Sequence, residues 1–341
     1  MPEIITNASN SSFTPEDKQT ILEATQWLKD WLQKRGEQKD IEGHYFMPLN
    51  ELRKVNEQFA KLRIYDGRTA GQDMERDIQA GTIRMKNPLN KQRSENPEDL
   101  TRQPGFGEYM QRKFNTEHNP MKAGQTLTNS VDQVMVLHPD NIRETRGQGY
   151  TESLGSAAVH EMTHGMNLRH EEYVMRQMLE VMPGLESTVY TPRELYARLN
   201  QLRYNFELDP TRVYTKEDVA KMRQEMERNL EDYSAKFLDA VDKNGGQPLS
   251  PEQLPEMPRK MDAGLFEVFS DFQISSFLNA VTEKIDQGRD LDQMDRDRSF
   301  DRSFTEQNMA SENRDMLQRN RQTEKLDTDL GRSRDVHVRL S

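Results

Sequence analysis

The chain contains no cysteine. Disulfides, thiolate-bound metals and thiol nucleophiles are therefore excluded, and histidine and carboxylate remain as the strong metal ligands. Histidine is itself scarce, with 7 in 341 residues, so two at a ligand spacing stand out. Apolar residues are few as well. At 33% hydrophobic against 31% charged, a good part of the chain is expected to lie outside any core. No run approaches the roughly 18 uninterrupted apolar residues of a membrane span. Positive charge is also in deficit. A net charge of −11 argues against a nucleic-acid partner, whose usual reader is basic. The opening stretch MPEIITNASNSSFTPED lacks a basic start followed by an apolar block, which predicts no signal peptide. The expectation is a soluble chain, cytoplasmic or exported by a signal-peptide-independent secretion system.

The elements point to an α+β, predominantly helical fold. Residues 1–13 are rich in Asn, Ser and Thr and are expected to be disordered. Thr14, Pro15 and Asp17 then form a capped helix start. Its apolar face is Ile21, Leu22, Leu28, Trp31 and Leu32, with Gly36 as the stop. A second amphipathic helix is expected over 49–62. The stretch 66–125 is polar and broken by Gly and Pro, and offers only a possible strand at Thr82–Met85. Ser130–Leu137 reads as the best strand. Helical periodicity recurs at 171–182, 192–205 and 216–241, and again as an unusually apolar helix over 261–285. Beyond Gly288 acidic and basic residues alternate and DRSF occurs twice in succession. Residues 288–341 are expected to be a disordered, solvated tail, leaving 14–287 as one folded domain.

The stretch AAVHEMTHGMNLRH carries the chemistry. His160 and His164 lie four apart, so on a helix both imidazoles project from one face, one turn separated. That spacing suits two corners of a zinc tetrahedron, and Glu161 stands beside the first ligand, where it can take a proton from an attacking water. Leu154, Ala157, Ala158 and Met162 give this helix other faces to bury. HExxH fixes only three positions, so two helical histidines could equally be ordinary packed residues. The strand and loop just before it strengthen the metal reading.

Two residues compete for the third ligand. His170 completes HExxHxxGxxH with Asn167 at the glycine position. It sits, however, in the charged run Arg169-His170-Glu171-Glu172, which reads as an exposed helix start. Glu267 lies in GLFEVFSDFQISSFL, four residues before Asp271 on an apolar helix. Two buried carboxylates need a partner, either a metal with its histidines or a cation such as Arg259 or Lys260. Glu267 is the expected ligand, with Asp271 orienting a liganding histidine. Glu194 has a helical placement but no supporting partner in sequence, and ranks below both.

HEMTHG followed by EVFSD resembles the gluzincins, the thermolysin- and neprilysin-like zinc metallopeptidases, marked by HExTH and a later ExxxD helix. The resemblance covers two short helices. It implies a zincin-like domain with a small β-sheet and an active-site helix, Zn2+ as cofactor, and His160, His164 and Glu267 as ligands. It also implies Glu161 as general base and Asp271 as the hydrogen-bond partner of a ligand histidine. The expected function is a zinc-dependent endopeptidase acting on a protein or peptide substrate, resembling in composition secreted bacterial effector or toxin proteases. An extended substrate is expected to pair with the strand at 131–137, and the oxyanion is left to Tyr190, Tyr196, Tyr204 or Tyr214. The alternative is a non-catalytic helical interaction protein in which HExxH is accidental or degenerate.

Overall fold

A computed structural model of the chain describes residues 2–6, 11–39, 43, 46–47, 49–85, 105–120, 122–127, 132–145, 152–166, 168–181, 190–247, 249–250, 253–256, 258–260 and 264–280. Met1–Ile285 forms one compact unit. Asp286–Ser341, which contains the expected charged tail, lies outside the described residues.

The described chain is α+β and mostly helical. Its sheet has the order β1 (Glu3–Ile5), β2 (Arg63–Asp66), β4 (Val134–Leu137), β3 (Gly124–Thr126). The first three strands run parallel, and β3 lies antiparallel to β4 at the edge. All four residues of β4 are buried, because helices cover both faces. The period-two alternation of a strand divides them. Met135 and Leu137, with Ile64 of β2, join the large core built by α1 (Pro15–Gly36), α2 (Leu49–Ala60), α6 (Leu154–Met166) and α8 (Pro192–Asn205). Val134, Val136 and Tyr65 face a smaller core with α3 (Ala70–Gln79) and α4 (Phe106–Phe114). The remaining α-helices among the described residues are α5 (Pro139–Thr145), α7 (Arg169–Val181), α9 (Lys216–Lys243), α10 (Gly264–Val268) and α11 (Asp271–Leu278).

Helix α1 begins as its sequence dictates. Thr14 and Asp17 exchange side-chain and backbone hydrogen bonds in a capping box, worth about 1 kcal/mol. It ends at Gly36, as expected, but the glycine also has a packing role. Gly36 is not left-handed; a Cβ there would run into the Leu52 side chain of α2. Close helix packing, rather than a turn, requires this glycine.

Four expectations are corrected. Residues 3–5 are ordered, because Ile4 and Ile5 each pack on one of the two cores while their backbone pairs with β2. Ser11 Oγ (2.9 Å), Ser12 N (2.6 Å) and Ser12 Oγ donate to the buried carboxylate of Asp66, anchoring the segment further. Thr82–Met85 is not a strand; Arg84 turns there to bind Asp132. The polar stretch 66–125 instead supplies α3, α4 and β3. Finally, the apolar stretch 261–285 is not one helix. Ser270 is extended (φ −70°, ψ 160°) and caps α11 through a box with Gln273, so α10 ends at Val268.

Candidate metal centre

Helix α6 packs against β3 and β4 on one side and against α1 and α8 on the other. Leu154, Ala157, Ala158, Val159 and Met162 are buried, which fixes its rotation and carries His160 and His164 towards α8. The two rings stand edge to face with centroids 4.6 Å apart. Thr163 Oγ1 donates to Val159 O (2.8 Å) and accepts from Asn200 Nδ2 (3.2 Å), tying the helices together. Arg193 adds a hydrogen bond to His164 O.

The residue that α8 brings to the histidines is Glu194. Its Oε2 lies 3.2 Å from His164 Nε2 and 3.5 Å from His160 Nε2, and the two Nε2 atoms are 2.9 Å apart. Three ligands about 2.0–2.1 Å from a tetrahedral zinc sit about 3.4 Å from one another. The observed triangle therefore matches one face of such a tetrahedron within a few tenths of an ångström. Glu194 reaches this place through local chemistry. Thr191 caps α8 by accepting from Glu194 N, and an acidic residue in the first turn is favoured by the helix dipole. Arg198, one turn on, donates to Oε1 (3.0 Å) and leaves Oε2 to the histidines.

Electrostatics make the three groups a unit. Burial opposes the Glu194 charge, yet its hydrogen bonds to His160 and His164 hold the carboxyl well below the usual carboxylate range. Two imidazoles in contact beside one carboxylate cannot both be charged, so their proton affinities separate. Burial pushes His164 down to about 4 despite its bond to Glu194. Burial also works against charge on His160, but the Glu194 hydrogen bond together with the charges of Glu194 and Glu161 outweighs it and raises this ring. The His164 Nδ1 atom is buried and has no hydrogen-bond partner among the described residues.

Glu161, buried beside His160, turns towards the sheet edge. Thr126 of β3 donates through Oγ1 to Glu161 Oε2 (2.6 Å) and approaches Glu161 O (3.0 Å). Gly124 leaves the room for this side chain: a Cβ there would stand 2.6 Å from Glu161 Cγ. Burial pushes the Glu161 carboxyl up, against the nearby His160 and the Thr126 hydrogen bond.

The other expected site residues are placed elsewhere. Glu267 is exposed on α10, outside the metal-competent group of His160, His164 and Glu194. The break at Ser270 removes the single helix on which Glu267 and Asp271 were to stand in line. Asp271 pairs with Arg223 (2.8 Å), whose guanidinium also donates to Phe266 O and Phe269 O (3.0 Å), and it orients no histidine among the described residues. His170 is the second residue of α7, and its side chain lies outside the described residues. Among the tyrosines, Tyr190 donates to Gly264 O (3.2 Å) and Tyr214 to Asp209 O (3.2 Å). Arg259 covers the Tyr204 ring, and Tyr196 is buried beside Arg203. Strand β4 is flanked by β2 and β3 and has no free edge for a substrate.

Glu194 was missed because its support is tertiary. The local signal was its place in a capped first turn with Arg198 one turn later. Comparison with protein-family models, with curated proteins and with solved structures finds no match to this chain. Among the described residues, no helix is long and apolar enough to cross a membrane.

Proposed function

We propose that the chain is a zinc-dependent endopeptidase whose metal ligands are His160, His164 and Glu194 and whose general base is Glu161. The observation that carries this reading is the triangle of one carboxylate oxygen and two imidazole nitrogens, 2.9–3.5 Å on a side, next to a buried second carboxylate. Two nitrogens and one oxygen fit zinc and leave a coordination position open, as catalytic zinc sites do. The same donors also suit iron(II); the buried base beside them favours hydrolysis. Zinc, when bound, supplies Lewis acidity towards a carbonyl and an attacking water.

The protein's own groups do the rest. Glu161 accepts the proton of the attacking water at its carboxylate and passes it to the leaving amine. Its raised proton affinity suits a group that must both take and return a proton. Thr126 holds Oε2 in place. The sheet edge offers a binding surface for an extended chain: Leu127 N donates to Val134 O (3.0 Å) and His138 N to Ala123 O (2.9 Å). By alternation the main-chain groups of Gly124 and Thr126 point away from the sheet, where a peptide could pair with them. The substrate strand is thus β3 in place of the expected β4.

The test is zinc content together with peptide hydrolysis in the wild type and in Glu161→Gln. An endopeptidase loses turnover in the variant and keeps its metal. An interaction protein shows no hydrolysis in either form, and a wild type that takes up no zinc when supplied with it refutes the proposal.

A further inference from the structure

Behind His160 lies a polar relay that the hydrolytic scheme above does not use. Gln201, on α8 two turns after Glu194, is fully buried. Its Oε1 stands 3.0 Å from His160 Nδ1. Its Nε2 is held by the Glu152 carboxylate, Ser156 O (3.3 Å) and Ser156 Oγ (3.2 Å). These three groups determine which way the amide faces. Reversing it would set the amide oxygen against a carboxylate and a carbonyl, two acceptors with nothing to donate. The oxygen must therefore face His160, and the His160 Nδ1 must carry the hydrogen. In the neutral ring Nε2 then carries the lone pair that a metal would take, while in the protonated ring the same nitrogen donates to Glu194. His164, by contrast, has a buried Nδ1 without a partner among the described residues.

We infer that Gln201, backed by Glu152, is a positioning residue that locks His160 as the preorganised metal ligand, leaving His164 the looser of the two. This rests on the zinc reading above. A ligand imidazole normally gives its second N–H to an outer partner that sets its tautomer and raises its basicity. Here that partner is a neutral amide with the carboxylate one group further out, so the tautomer is enforced while His160 gains less basicity than from a direct carboxylate. Helix α8 thus presents both a ligand, Glu194, and the restraint on another ligand, seven residues apart on one face.

Zinc affinity, measured by competition with a chromophoric chelator, tests this in the full chain. Gln201→Leu is expected to weaken zinc by about 10–100-fold, the usual cost of losing such an outer partner. The exchange variant Glu152→Gln with Gln201→Glu keeps an acceptor on Nδ1 and a hydrogen bond behind it, and is expected to recover most of that affinity. Heteronuclear NMR of zinc-free wild type at alkaline pH needs no variant, and remains decisive if Gln201→Leu does not fold. It should show His160 with hydrogen on Nδ1. A wild-type affinity in Gln201→Leu, no recovery in the exchange variant, or hydrogen on His160 Nε2 overturns the inference and leaves the zinc site standing. Absence of zinc binding by the wild type overturns the zinc reading itself.

Discussion

Replacing Glu194 by Gln tests the centre most directly, with Glu267→Gln as its control. The substitution keeps shape and removes the charge. Four-ligand structural zinc sites bind with about 10–16 kcal/mol, or roughly 2.5–4 kcal/mol per ligand. An amide is a poor replacement, so Glu194→Gln should lose about 3 kcal/mol of zinc affinity, a factor of roughly a hundred. Glu194 Oε2 is the acceptor shared by His160 and His164, and without its charge His160 loses what raises its proton affinity. Arg198 also loses the charge of its Oε1 partner. Glu267, exposed and outside the cluster, should tolerate Gln with no change in zinc affinity. Chelator competition reads both variants, with thermal unfolding to confirm that each folds. Retention of zinc by Glu194→Gln and loss by Glu267→Gln would refute the assignment of ligands made from the triangle.

Other outcomes follow from the same geometry. Glu161→Gln should lower kcat by about 10²–10⁴-fold, the usual contribution of a positioned general base, with zinc content unchanged by elemental analysis. Gly124→Ala should cost about 1–3 kcal/mol through overpacking or displace Glu161, so denaturant unfolding and kcat together should register it. His138 is fully buried between Thr116 Oγ1 (3.0 Å) and Gln125 Nε2 (3.1 Å). Burial pushes it down from 6.5 to about 4, with Lys122 adding to the shift and Asp66 and Asp140 opposing it. Because the folded value is depressed, its contribution is complete above about pH 6.5 and is lost as the pH falls towards 4, up to about 3 kcal/mol. Urea unfolding between pH 7 and 4 should show this slope flattened in His138→Asn; an unchanged slope would remove His138 from the account.

Much of the fold was legible because it is local. Helix α8 runs over the expected 192–205 and α9 (Lys216–Lys243) nearly so, since each carries a threonine cap and helical periodicity. The histidine pair was legible for the same reason: a spacing of four is meaningful wherever a helix forms. Strand β1 was hidden because three residues in a Ser- and Asn-rich segment carry little pattern, and their order comes from pairing with β2 sixty residues away. Helices α3 and α4 were hidden because they are short and polar, and acquire their apolar face only against each other and the sheet.

The carboxylate that meets the two histidines shows where local reasoning ends. Glu267 and Asp271 are four apart, as are Glu194 and Arg198, and apolar neighbours favoured the first pair. Ser270 then broke the helix between Glu267 and Asp271 with a cap of its own, and Arg223, from α9, took the acidic group. By itself the sequence determined that two histidines share one helix face at a metal-ligand spacing, with a carboxylate beside them and no cysteine in the chain. Which distant carboxylate meets the histidines was decided by the packing of α8 on α6, with Glu194 thirty residues from His164 in sequence. Spacing along a helix is dictated by the backbone period. Proximity between helices depends on how whole apolar faces pack, a property no short motif contains.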